Sequence, residues 1–377
     1  MNIDKLNKIP TPCYVCEEEK LEQNLKLLAR VQTEADCKIL VALKGFALWK
    51  TFPLIKKYLP GCCASGLHEA RLAREEFGGE VHTYSPAFKD EEFDAILKIS
   101  DHIVFNSFSQ WEKFKDKVGN KKCGIRVNPE CSRAPKEIYD ACAPKSRLGI
   151  KSVEFKNQSL KGITGLHFHA LCEQNSDALV KVLQSFEKKF SRFLPQIQWV
   201  NFGGGHHITR ADYDVDNLIN LIKKFRKKYP NIEEVYLEPG EAVGWKAGFL
   251  VTSILDVIFN DMAIAIVDTS ASAHMPDTII MPYRPDIRGG GKLAEKKYNY
   301  RIGGNTCLFG DIIGDYSFDQ ALKVGDKLII EDQIHYTIVQ NNTFNGIKLP
   351  SIALLKKNGE LKILKKFGYE EYKNRNS

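Results

Sequence analysis

The sequence lacks an apolar run long enough to cross a bilayer: its longest, residues 248–259, is broken by Thr252, Ser253 and Asp256. Its start, Met1-Asn2-Ile3-Asp4-Lys5-Leu6-Asn7-Lys8, lacks the apolar core of a secretory signal. No membrane association is expected, and the predicted location is the cytoplasm. Internal repeats and low-complexity linkers are missing too. The ten cysteines form no disulfide framework; several, such as Cys37, Cys62, Cys63 and Cys123, sit inside apolar runs, as reduced buried thiols do. One CxxC, Cys13-Tyr14-Val15-Cys16, has no second pair at zinc-ribbon spacing, so a plain strand is preferred there over a metal or redox role. Nucleic-acid motifs are absent. Lys and Arg number 54 against 47 Asp and Glu, a net charge of +7, and the cluster Lys223-Lys224-Phe225-Arg226-Lys227-Lys228 reads as a solvated helix face. No nucleic-acid partner is expected.

What the sequence does contain is a repeated alternation. At 377 residues it suits two domains, and its 43% hydrophobic and 27% charged residues suit a soluble globular chain. Strand-like runs fall at residues 38–43, 62–64, 81–84, 102–106, 124–127, 162–168, 199–202 and 235–237. Segments with helical apolar spacing, such as residues 67–73 and 218–222, lie between most of them. Eight strands alternating with helices predict a parallel (β/α)8 barrel over residues 18–247. Beyond Ala247 the texture changes. Runs at 248–259, 263–267, 327–330 and 336–339 are separated by Gly, Asp and Asn turns, which predicts a mainly β domain over 248–377. The extended segment Thr11–Val15 is expected to join it, so residues 1–17 are assigned there, and the polar stretch from about 365 is expected to be a helical or frayed tail.

In a barrel of this kind, chemistry collects at the C-terminal ends of the strands. The first strand ends in Val41-Ala42-Leu43-Lys44-Gly45. A lysine closing an apolar run is expected to be buried at its stem, which lowers its pKa towards a nucleophilic amine; a snorkelling surface lysine fits the same pattern. The sixth strand ends in His167-Phe168-His169, with both histidines on one face at strand period. They suit a metal pair or two satisfied core histidines, and no clear set of further ligands accompanies them, so no metal is expected. The seventh strand runs into Gly203-Gly204-Gly205, whose backbone N–H groups are expected to approach an anion. Loops after strands seven and eight of such barrels commonly hold phosphate. The eighth strand ends in Leu237-Glu238-Pro239-Gly240-Glu241, where Glu238 suits a cationic ring nitrogen or a simple polar turn.

Together, Ala42-Leu43-Lys44, His169, Gly203-Gly204-Gly205 and Glu238-Pro239-Gly240 resemble the fold-type III pyridoxal-phosphate enzymes, and among them the ornithine and diaminopimelate decarboxylases. The resemblance extends through residues 304–311 (Gly-Asn-Thr-Cys-Leu-Phe-Gly-Asp), Tyr336 and Asn342-Thr343-Phe344-Asn345-Gly346. It implies an alanine racemase-like barrel plus β domain, and pyridoxal 5'-phosphate as cofactor. It further implies that Lys44 forms the Schiff base, that His169 lies against the pyridine ring, and that Glu238 keeps the ring nitrogen protonated. Gly203, Gly204, Gly205, Gly240 and Tyr336 would hold the cofactor, and Cys307 would protonate Cα. In this family the cysteine comes from the other subunit, which implies a homodimer.

Two positions depart from those relatives: Glu241 stands where they place a phosphate-binding arginine, and Cys172 where they place a serine. The pattern His167-Phe168-His169-Ala170-Leu171-Cys172-Glu173, the Glu238–Glu241 turn, His274-Met275-Pro276-Asp277 and Met281-Pro282-Tyr283-Arg284-Pro285 are similar to a narrower group, the decarboxylases of carboxynorspermidine and carboxyspermidine. A substrate with several ammonium groups calls for carboxylates and aromatic faces; Glu241, Asp268, Asp277, Asp311 and Phe344 are the candidates. The net positive charge gives no support, so attraction must be local. Competing readings are a diaminopimelate, ornithine or arginine decarboxylase of the same fold, an amino-acid racemase, a non-catalytic pyridoxal-phosphate carrier, which is essentially barrel alone, and a metal hydrolase built on His167 and His169.

Overall fold

The computed structural model describes residues 6–156 and 158–377; the first five residues of the expected 1–17 segment, which begin the stretch read for a signal, lie outside the described residues. The chain divides into two compact units, Glu22–Val243 and Met1–Leu21 with Gly244–Ser377. Among the described residues no helix is long and apolar enough to cross a membrane.

The first strand, β1 (Cys13–Glu17), belongs to the second of these units. The other unit is a closed parallel barrel of β2 (Lys38–Ala42), β3 (Gly61–Ala64), β4 (Glu80–Tyr84), β5 (His102–Phe105), β6 (Lys122–Arg126), β7 (Gly165–His167), β8 (Trp199–Asn201) and β9 (Glu234–Leu237), arranged in chain order. Its ring shuts where β2 meets β9, Lys38 opposite Tyr236 and Ile39 opposite Leu237. Parallel neighbours need crossover connections, and helices supply most of them; between β6 and β7 the connection carries only short 3-10 turns, Glu137–Tyr139 and Ser152–Phe155. Helix Val215–Lys228 buries Leu218, Ile219, Ile222 and Phe225, starts at an Asp214 cap, and leaves Lys223, Lys224, Lys227 and Lys228 in solvent. The lysine cluster is thus a solvated face. β7 is shorter than the expected 162–168 because Gly162, at φ +84°, makes a turn; a Cβ there would meet the Trp111 ring at 2.8 Å.

The barrel interior follows from a size match. Trp199 lies across Gly124 and Gly165, where an added Cβ would come within 2.4 and 2.0 Å of its ring. Two strands without side chains there make room for the indole, which packs with Leu40, Val104 and Tyr236. Each such side chain contributes roughly 1.5–3 kcal/mol by leaving water. At the N-terminal end the interior turns polar: His82 and His102, both buried, stack at 3.8 Å beside Glu80. Burial pushes His102 down to about 2, so its ring stays neutral.

The second unit is a mixed sheet of β10 (Gly248–Asn260), β11 (Met262–Val267), β12 (Tyr298–Gly303), β13 (Ile312–Phe318), β14 (Lys327–Glu331), β15 (Ser351–Leu355) and β16 (Leu361–Lys365), in the order β13-β12-β11-β10-β1-β15-β16, with β14 on β10. Strand β1 lies inside this sheet, antiparallel to β10 and parallel to β15. Its Cys13 and Cys16 are buried strand residues, Cys13 pushed up to about 12 by burial, and all ten cysteines are free thiols. Ile9, Val15, Phe249, Val251 and Ala353 form the core around it. One expected strand is not there. Residues 336–339 lie in the short helix Tyr336–Gln340. The β-branched run Thr337-Ile338-Val339 suggests a strand, but the Thr337 hydroxyl donates to the Asp277 carboxylate and the Ile338 N–H to the His335 carbonyl, which winds the segment up. The polar end of the chain forms a helix, Tyr369–Arg375.

Candidate active site

The barrel's C-terminal end gathers the conspicuous side chains of the sequence. Lys44 follows β2 in a turn held by the Gly45 and Phe46 N–H groups donating to the Ala42 carbonyl. It is not buried as expected: solvent reaches it. Even so, its pKa is lowered, first by desolvation and then by the Arg126 guanidinium. The two observations agree if the amine stands in an open hollow walled by protein, where water touches it but cannot solvate it fully. There it is a better nucleophile than a surface lysine.

Glu238 follows β9, and Asn201, at the end of β8, donates to its Oε1 at 2.7 Å. His167 Nε2 lies 3.3 Å from its Oε2. Burial raises this carboxyl, but His167 and the Asn201 amide outweigh burial and hold it at about 2. The carboxylate is therefore an ionised acceptor fixed at the mouth. His169, by contrast, is neutral: burial, then Lys44 and Arg126, push it well below the usual histidine range. Its Nδ1 accepts from the Gly204 N–H at 2.7 Å, which fixes the tautomer with the proton on Nε2. Arg126, at the end of β6, donates to the His169 carbonyl at 3.2 Å and lies 4.6 Å from the Tyr84 ring. This buried arginine was missed by sequence reasoning; a strand-end cation among apolar residues was the available signal.

The glycine turn departs from expectation. Gly203 and Gly205 have φ of +72° and +80°, and a Cβ on Gly203, Gly204 or Gly205 would lie 2.3, 2.4 or 2.0 Å from the carbonyls of Phe168, Glu238 and Leu171. Glycine is required by this close approach. Two of the three N–H groups, however, are engaged: Gly203 donates to Asn201 Oδ1 and Gly204 to His169 Nδ1. The turn orients the histidine and the asparagine as much as it offers an anion site. Nearby, Glu241 Oε2 lies 3.7 Å from His207 Nε2. Gly240 packs backbone to backbone on Gly45, where a Cβ on Gly45 would be 3.0 Å from the Gly240 Cα.

The sheet unit holds the remaining predicted residues. Between β12 and β13, Asp311 is a hub: Oδ1 accepts from the Ser270 hydroxyl and the Ser272 N–H, Oδ2 from the Thr306 N–H and hydroxyl. The Cys307 N–H donates to Asn345 Oδ1 at 2.9 Å. The loop so fixed presents an exposed Cys307 followed by Leu308 and Phe309, the latter 96% exposed. Phe344 is also exposed, next to Asn345. Asp268 is engaged inside the sheet, accepting from the Thr252 hydroxyl and the Ser253 N–H. Asp277 is half-buried, and its pKa is raised because burial outweighs His335, Thr337 and Tyr283. Tyr336 begins the short helix beside His335.

A lysine amine, a fixed anion and a neutral imidazole at one barrel mouth are the parts a pyridoxal-phosphate enzyme needs, and the comparisons agree. The pyridoxal-dependent decarboxylase family, described by its C-terminal sheet domain, matches residues 13–333, and the chain belongs to that family. Within it, the carboxynorspermidine/carboxyspermidine decarboxylase of Campylobacter jejuni is 51% identical over 380 residues, covering 98% of this chain and 99% of that one. The carboxyaminopropylagmatine decarboxylase of Synechocystis is 44% identical over 374 residues, covering 98% of this chain and 96% of its own. The crystal structure of the Campylobacter jejuni carboxynorspermidine decarboxylase in complex with norspermidine superposes with a TM-score of 0.92 at 49% identity, covering 98% of this chain and all of that one.

Proposed function

We propose that the chain is a pyridoxal-phosphate-dependent decarboxylase of carboxynorspermidine and carboxyspermidine, releasing carbon dioxide to leave norspermidine or spermidine. The observation that carries this reading is the 51% identity, along nearly the whole of both chains, to an enzyme of that name. The family match runs through both units, which disfavours a carrier made of a barrel alone. Among the described residues His167 and His169 belong to no group of three metal-type ligands, so the hydrolase reading gains nothing.

The residues fit the cofactor. The Lys44 amine is available to an aldehyde, the Glu238 carboxylate to a pyridine N–H, and the neutral His169 ring to a pyridine face. The Gly205 N–H, which donates to nothing among the described residues, is open to a phosphate oxygen. When bound, pyridoxal phosphate supplies an electron sink for the pair released as the carboxylate leaves. The protein's share is positional. Asn201 and His167 hold Glu238 ionised, Gly204 holds His169 in one tautomer, and desolvation lowers the Lys44 pKa so that the amine gives up its proton readily. Cys307 delivers the proton that replaces carbon dioxide at Cα. The enzyme works as a cytoplasmic homodimer in which Cys307 of one copy serves the Lys44 of the other; the exposed Leu308 and Phe309 beside it suit burial against a second copy.

Of the four acidic candidates, Asp268 and Asp311 have internal donors enough to serve as structural anions. Asp277, whose desolvation is incompletely offset by the Thr337 and Tyr283 hydroxyls, is the carboxylate assigned to an ammonium group of the tail, and Glu241, an anion beside His207 past the last barrel strand, is a second candidate. The test is a comparison of kcat/KM for carboxynorspermidine, carboxyspermidine, carboxyaminopropylagmatine, diaminopimelate, ornithine and arginine. The carboxylated triamines are expected to lead by at least tenfold; a lead for an ordinary diamino acid would overturn the reading, and one for the agmatine derivative would move the assignment to a guanidinium tail.

A further inference from the structure

The floor of the barrel, at the opposite strand ends from Lys44, carries a second cluster of chemistry-bearing side chains. Glu80 and His82 stand two residues apart on β4 and so share a face, and His102 on β5 sits directly opposite His82 in the strand register. Glu80 Oε1 lies 3.0 Å from His82 Nε2 and 3.5 Å from His102 Nδ1. In a tetrahedral zinc site with bonds near 2.0–2.1 Å, neighbouring ligand atoms are about 3.3 Å apart, between those two distances.

A second observation points the same way. His82 is 1% and His102 2% exposed, yet neither ring nitrogen of His102, nor His82 Nδ1, has a hydrogen-bond partner among the described residues. Buried polar groups are almost always satisfied, and His102 Nδ1, buried 3.5 Å from the Glu80 carboxylate without a hydrogen bond, calls for something to satisfy it. The surroundings suit a cation held on one side. Lys38 takes the other oxygen, Oε2, at 3.4 Å and is itself neutralised by Glu234 at 3.0 Å. Tyr236 donates its hydroxyl to Oε1 at 2.9 Å, orienting the carboxylate from across the barrel.

We propose that Glu80 Oε1, His82 Nε2 and His102 Nδ1 bind a structural zinc ion at the barrel floor, with water completing the tetrahedron. Two imidazoles and one carboxylate are a borderline donor set that zinc favours over magnesium or calcium. The ion would tie β4 to β5 and stabilise the barrel without entering the reaction.

The experiment uses the full chain with its cofactor, produced without a metal-binding tag and passed through gel filtration in metal-free buffer after incubation with zinc. Elemental analysis is expected to find about one zinc per chain, falling to background in His82→Gln and His102→Gln, with cofactor absorbance and decarboxylation retained. Wild type at background, or full zinc content in both variants, overturns the proposal. Should the variants fail to fold, cobalt(II) added to the wild-type enzyme decides: intense visible bands of a tetrahedral ion are expected, and their absence overturns it.

Discussion

The barrel mouth and the Cys307 loop hold their chemical groups still by different means. At the mouth, Lys44, Arg126, His169 and Glu238 lie at or just past strand ends, and the ladder of the barrel fixes their backbones. A few side-chain bonds then set charge and tautomer. In the sheet unit the loop has no ladder. It is fixed by the Asp311 carboxylate, which collects donors from Ser270, Ser272 and Thr306, and by Asn345 beneath Cys307. The first arrangement places a residue by counting along a strand. The second depends on partners far away in sequence, and so is more exposed to single substitutions.

The sharpest break of this contrast is Lys44→Ala. It should leave the barrel folded but abolish the visible absorbance of bound cofactor and lower kcat/KM on the order of 10^4-fold or more, as removal of a nucleophile does; retention of both would show that the wrong lysine was chosen. Next comes Glu238→Gln, expected to lower kcat roughly 10²–10³-fold, the loss typical of one fixed electrostatic group. Its pH signature has a definite sign. The folded pKa, about 2, lies below the ordinary 4.5. The ionised carboxylate therefore contributes stability that is full above pH 4.5 and lost as pH falls towards 2. Acid denaturation followed by circular dichroism should show that loss in wild type and a flatter profile in the variant.

Cys307→Ala should keep the cofactor and slow or misdirect Cα protonation, with kcat down roughly 10²-fold and KM little changed; normal turnover to the normal amine would refute the role. Two aspartates then separate structure from recognition. Asp311→Asn puts an amide donor against Thr306 or Ser270 and should cost about 1–3 kcal/mol in the sheet unit, measured by urea unfolding. Asp277→Asn keeps an amide oxygen to accept from Thr337 and should cost less stability than Asp311→Asn, but raise KM for a carboxylated triamine about tenfold, or about 1.4 kcal/mol. If the two effects were exchanged, the division of labour between these carboxylates would be reversed.

How much of this was legible follows the same divide. All eight barrel strands were readable, since they are short, largely apolar runs, most of them spaced by helical segments, and the strand-end residues came with them. In the sheet unit, β12, β13, β15 and β16 went unread. Tyr300-Arg301 and Leu361-Lys362-Ile363 mix charge with apolar residues, and their pairing is set by distant partners. The helix at Tyr336–Gln340 was hidden by β-branched residues whose conformation depends on Asp277, some sixty residues away. The glycine turn was legible as a turn, but not the capture of its N–H groups by Asn201 and His169, which depends on the ends of β7 and β8 meeting. Arg126 was visible only as a charge within a strand.

The contact of Gly45 with Gly240 has a consequence for how the protein comes into being. Lys44 and Glu238 follow the first and last staves of the ring, which pair at Lys38 with Tyr236, and those two glycines bring the turns beyond them into contact. A growing polypeptide therefore carries an unassisted amine until the eighth stave is made and the hoop shuts. With Lys44 in its proposed role, vitamin capture would be a late event in biogenesis, and colour at the lysine would report a finished barrel rather than a partly built one.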